Sequence, residues 1–109
     1  MCEGGEPGRC ALWTRDDYHI RIQKALHRIR AKKGTSILFL YYWFLNARIS
    51  GILDSYFTGT TIKHLPGDKL RSIRLSIPTY EMQCKIAEVL GALDKKIELN
   101  NRLNENLAA

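Results

Sequence analysis

The last thirty-one residues constrain the fold most. From Thr79 to Ala109 there is no proline, and Gly91 is the only glycine. Apolar residues recur at Met82, Ile86, Val89/Leu90, Leu93, Ile97, Leu103 and Leu107. Steps of three and four put these side chains on one stripe of an α-helix, as in a coiled-coil seam. Thr79 can cap that helix, and Pro78 separates it from what precedes. At about 1.5 Å per residue it would extend over roughly 45 Å, longer than a domain this size can bury. Part of the stripe must therefore find another helix, from a second copy or a different protein. The alternative is a helix folded back on its own small domain. Asn100 falls where the stripe expects an apolar residue, and Asn104 lies one turn further on. A polar residue in a seam often fixes register and partner number.

With 109 residues in all, the part before this helix makes one small domain with a marginal core, so a partner is expected. Apolar residues make up 45 % of the chain, which excludes general disorder. The net charge of +6 is unevenly placed. Residues 1–78 hold 13 Lys/Arg against 6 Asp/Glu, a balance of +7, while residues 79–109 hold 4 against 5, a balance of −1. The first part therefore suits a polyanion and the second a different task, although a basic surface can serve solubility alone.

Residues 3–9 carry the glycine and proline density of a turn, and Cys10 to Trp13 a short apolar run read as a strand. His19 to Arg30 reads as extended, with its alternation breaking near Lys24. Ser36 can cap a helix running to about Ser50, with Gly51 stopping it. That helix is apolar on nearly every side, so it is buried or covered. The irregular stretch 54–68 gathers hydroxyls, Lys63 and His64 beside Gly59, donors that suit phosphate oxygens and base edges as well as ordinary turns. Leu70 to Ile77 alternates like a half-buried strand. The expected architecture is α+β: a small mixed β-sheet with a buried helix over residues 1–78, then one long coiled-coil helix over 79–109.

No catalytic constellation stands out. His19, His27 and His64 lack metal-ligand spacing, and Ser50 and Ser55 flank no nucleophile elbow. Three cysteines, Cys2, Cys10 and Cys84, form neither a disulfide framework nor a zinc pattern, and fit reduced thiols of a cytoplasmic protein. Cys84, near the start of the long helix, reads as an inert thiol. The longest apolar run, Ile37 to Leu45, has nine residues where a membrane span needs about 20. No cofactor, metal or membrane is expected.

Pro78, Gln83, Ile86, Leu90, Asp94 and Ile97 follow the pattern Pro-x-x-x-x-Gln-x-x-Ile-x-x-x-Leu-x-x-x-Asp-x-x-Ile. It resembles the signature of type I restriction specificity subunits, as does the run Glu98 to Glu105. Tyr56 to Leu65 is similar to the loop before that signature in the same family. Residues 3–9 and 22–28 resemble interior segments of its recognition domains more loosely. Met82 departs from the family, which commonly has Glu just before the Gln. In that family the signature marks where a target-recognition domain hands over to a spacer helix. A full subunit carries two of each, so this chain reads as the later part of one domain, 1–78, plus one spacer helix, 79–109.

The resemblance implies a non-catalytic reader of half of a split target in double-stranded DNA. Methyltransferase subunits docked on the spacer helix would supply the chemistry. Thr60, Thr61, Lys63 and His64 are the first DNA-facing candidates. Lys24, His27, Arg28 and Arg30 are the second, and Arg9 the third. Ile86, Leu90, Leu93, Ile97, Asn100 and Leu107 are the expected helix interface, for a homodimer or another helix. Two other readings compete. One is a helix-driven interaction module or decoy subunit without useful DNA affinity. The other is a small nuclease whose metal site the sequence does not display.

Overall fold

A computed structural model describes residues 1–4, 6–12 and 26–108. Most of the expected extended segment 19–30, including Lys24, lies outside the described residues, as does Trp13.

Helix α1 spans Ile37–Ile49. The Ser36 hydroxyl accepts the Phe39 amide at 3.2 Å, satisfying one of the donors that every helix start leaves open. At the other end the Ser50 amide donates to the Asn46 carbonyl, and Gly51 turns the chain away at φ +82°. Both expected boundaries hold. Phe39, Leu40, Phe44 and Ala47 are buried, whereas Ile37 and Ile49 remain exposed. A 3₁₀ turn over Ile52–Tyr56 follows and buries Leu53. Phe44, Ala47 and Leu53 form the centre of the core. Met1, Cys10, Ile29, Trp43, Phe57, Leu70 and Ile73 pack around it.

The expected strand at Leu70–Ile77 is not formed. Helix α2, Gly67–Ser72, takes its first three residues. Pro66 stands at the helix N-cap in extended backbone, and Asp68 lies in the first turn, where a carboxylate favours helix. Ile73 then leaves α2 in extended backbone (φ −64°, ψ 125°). Ile73 and Leu75 are half-buried between exposed Arg74 and Ser76, so the alternation set which side chains face inward. It did not supply a neighbouring strand, and without a ladder an alternating segment is only extended chain.

The expected mixed sheet is likewise not found among the described residues, which hold three isolated antiparallel bridges: Cys2 with Leu26, Gly4 with His64, and Thr58 with His64. The first residues run between the other two segments. The Met1 amine donates to the His27 carbonyl at 2.9 Å, and the His27 amide returns the bond to Met1 at 2.7 Å. The described residues are thus mostly helical, with one long C-terminal helix.

That helix, α3, spans Tyr80–Ala108. Thr79 caps it through Oγ1, which accepts the Met82 amide at 3.4 Å. Its first half packs on α1. Gln83 is 1 % exposed, and Ala87 is also buried. Gln83 Oε1 accepts the Ser36 amide at 2.9 Å, while Nε2 donates to the Pro78 carbonyl at 2.9 Å. One side chain therefore ties the start of α1 to the start of α3. Further along, the Tyr42 hydroxyl donates to Asp94 Oδ2 at 2.5 Å. Among the described residues no helix is long and apolar enough to cross a membrane.

Candidate nucleic-acid interface

The first candidate is a loop. Thr58 and His64 exchange both backbone hydrogen bonds at 2.8 Å, so Gly59 to Lys63 must turn within five residues. Gly59 has φ +97°, and a Cβ there would lie 2.2 Å from the Ile62 carbonyl oxygen. Only glycine closes this turn without displacing the backbone. Thr60, Thr61, Ile62 and Lys63 stand exposed at the tip, with His64 exposed on the return arm.

The base of the loop is anchored at Leu65, which is fully buried. Its amide donates to the Glu3 carbonyl at 2.6 Å, and its carbonyl accepts from His27 Nε2 at 2.7 Å. A carbonyl only accepts, so the proton sits on Nε2 of His27. His27 is mostly buried, and Glu3 stands 3.8 Å from the same nitrogen. Its geometry therefore makes His27 a support of the loop.

Two grooves open beside these elements, and they differ in charge. Glu6, Arg48, Asp54, Thr61, Ile62 and Lys63 line most of the first. Glu6 Oε2 holds Arg9 at 2.9 Å and reaches Arg48 at 3.8 Å, so cations there face carboxylates. Arg9, a sequence candidate, is exposed and makes that pair. The second groove, about 420 Å³, is lined by Leu26, His27, Arg28, Ile29, Arg30, Gly67, Leu70 and Arg71. Arg28 and Arg30 are exposed and alternate with half-buried His27 and Ile29. Arg71 joins them from α2. Reading 70–77 as a strand hid this convergence. The Pro-Gly-Asp start at Pro66 was the available signal for a helix.

The expected helix interface divides in two. Ile86 and Leu90 are half-buried on the part of α3 that packs on α1. Leu93, Ile97, Asn100 and Leu107 are exposed, Leu107 at 85 %. Among the described residues no three His, Cys, Asp or Glu gather as a metal site. Burial pushes the Cys10 thiol up, which keeps it protonated and unreactive.

Residues 15–109 match the family model described as the type I restriction modification DNA specificity domain. The chain belongs to that family. It is 33 % identical over 84 residues to the type I restriction enzyme MjaIX specificity subunit of Methanocaldococcus jannaschii, covering 77 % of this chain and 19 % of that protein. It is 40 % identical over 47 residues to the type I restriction enzyme HindI specificity subunit of Haemophilus influenzae, covering 43 % and 10 %. The chain thus spans less than a fifth of the length of these curated relatives. No solved structure matches. Within this specificity domain, Gln83 and Asp94 are the residues that fasten α3 to α1.

Proposed function

We propose that this specificity domain recognises double-stranded DNA as the non-catalytic reading part of a type I restriction–modification complex. Residues 1–78 form the reading part, and 79–109 form a spacer helix that pairs with a second helix and docks methyltransferase subunits. The observation that carries this reading is the family match over 15–109. The excess charge of residues 1–78 and the exposed donors of the Thr60–His64 loop agree with it. On this reading Thr60, Thr61, Lys63 and His64 meet base edges or phosphates, and Arg28 and Arg30 lie on the same side. Such a complex acts in the cytoplasm, and its chemistry resides in the partner subunits.

Selection from a pool of randomised duplexes by the chain assembled with its methyltransferase subunits tests this. One half of a split motif should be enriched. A bound pool with no enriched sequence would overturn the reading. The exposed seam residues Leu93, Ile97 and Leu107 favour a second reading, a helix-driven interaction module. Light scattering that finds a dimer indifferent to added duplex at low salt would select it.

A further inference from the structure

We infer that Arg28, Arg30 and Arg71 form a phosphate clamp that grips the DNA backbone beside the Thr60–His64 loop. This rests on the DNA-reading proposal and goes beyond it by separating an anchor from a reader. The three arginines come from two parts of the sequence, the segment after Leu26 and helix α2, yet they line one groove. Among the described residues none of the three forms an ion pair, and no carboxylate lines the groove. Glu3 is directed at His27 and is not part of the lining. The other groove, by contrast, holds Glu6 and Asp54 among its cations and offers an anion no net attraction.

The chemistry favours phosphate. Guanidinium groups are planar forks that match phosphate oxygens two at a time and shed water more readily than an ammonium does. Leu26, Ile29 and Leu70 give the groove an apolar floor, along which arginine stems can lie with their heads in solvent. Gly67 leaves room above that floor. A Cβ there would touch both Arg71 Nη1 and the His27 ring at 3.8 Å. The same His27 holds the Leu65 carbonyl at the base of the loop. The groove and the base of the loop thereby share one side chain, so a phosphate gripped there lies next to the loop. That is the division between positioning and reading that duplex recognition uses.

The experiment compares the whole chain with Arg28→Gln/Arg30→Gln/Arg71→Gln on a mixed-sequence duplex across a salt series, following fluorescence anisotropy. Each phosphate contact contributes roughly 0.9 to the slope of log affinity against log salt. The triple variant should lose about 2 to 3 from that slope. Equivalently, a fourfold rise in salt should weaken the native chain roughly 40-fold more than the variant. The loss should be equal on unrelated duplex sequences, since phosphates carry no sequence. The single variant Arg71→Gln, with its helical content checked by circular dichroism, should lose about one third as much. If the native chain binds and both variants keep its slope, the clamp is wrong and DNA reading stands. If the native chain ignores duplex even at low salt, DNA reading itself fails and the clamp with it.

Discussion

The two halves of α3 share one helix and one heptad pattern, yet they live in different environments. In the first half Gln83 and Ala87 are buried, Ile86 and Leu90 are half-covered, and Asp94 is bonded to Tyr42. From Leu93 on, the positions Leu93, Ile97, Leu103 and Leu107 continue the apolar series but stay more than half exposed, the neighbouring Asp94 marking where the cover by α1 ends. The difference is the presence of α1. It reaches from Ser36 beside Gln83 to Tyr42 beside Asp94, and beyond that point nothing among the described residues covers the stripe. A periodic stripe therefore records that a helix wants a neighbour, and the fold decides which turns receive one. The covered half fixes the direction of α3 relative to α1, and the bare half carries its unused apolar surface.

The strongest way to break this contrast is Gln83→Ala. The substitution leaves the Ser36 amide without its partner, frees the Pro78 carbonyl and opens a hole between α1 and α3. Losing a buried pair of hydrogen bonds together with packing costs about 2–4 kcal/mol. Thermal unfolding should show a drop in Tm of several degrees. A shift below about 1 °C would mean that Gln83 does not hold the two helices together.

Gly91 sharpens the contrast from the other direction. It lies inside α3 facing α1, where an added Cβ would meet Leu38 Cδ2 at 3.8 Å and the Tyr42 hydroxyl at 3.9 Å, both ordinary contacts. Gly91→Ala should therefore stabilise the chain by about 0.5–1 kcal/mol through helix propensity alone. Destabilisation would show that the two helices sit closer than these distances. Tyr42→Phe should have a smaller effect. Desolvation at the α1–α3 contact and the hydrogen bond to Asp94 push the Tyr42 hydroxyl up to about 12. Its folded value exceeds the roughly 10 of a free tyrosine. The tie is thus fully present below pH about 10 and is lost as pH rises through about 12. Because the pair is solvent-exposed, its loss costs under about 1 kcal/mol. Urea titrations at about pH 9 and 11 should give more similar stabilities for the Tyr42→Phe variant than for the native chain. Equal pH dependence in both would remove the tie.

Some of this was legible in the residues and some was not. Ser36, Gly51 and Thr79 announce helix boundaries because capping is local chemistry, and the helices begin and end there. The stripe of α3 is equally local. Gln83 was visible only as a signature position, because its value lies in a contact with Ser36 forty-seven residues away. The strand expected at 70–77 failed for the opposite reason: alternation reports facing, and a strand also needs a neighbour that no local pattern names. Among the site candidates, the loop around Lys63 follows from Gly59 and its flanking hydroxyls. The partnership of Arg71 with Arg28 and Arg30 depends on how α2 folds back, which spacing does not encode.

The smallest expected effect on stability belongs to the bare half, and there it is the most informative. Leu93→Glu/Ile97→Glu replaces two exposed apolar residues with good helix formers on a surface that already meets water. Unfolding of the isolated monomer should change by no more than about 0.5 kcal/mol. Self-association is a different matter. If the bare stripe pairs with a second helix, these two positions lie in its seam. Two carboxylates placed there would each need a buried partner, which an apolar seam does not offer. Analytical ultracentrifugation should find the native chain dimeric and the variant monomeric at the same concentration. A variant that stays dimeric would move the interface off the stripe. A variant that unfolds would show instead that the second half of α3 is covered by its own domain in solution, erasing the contrast between the two halves.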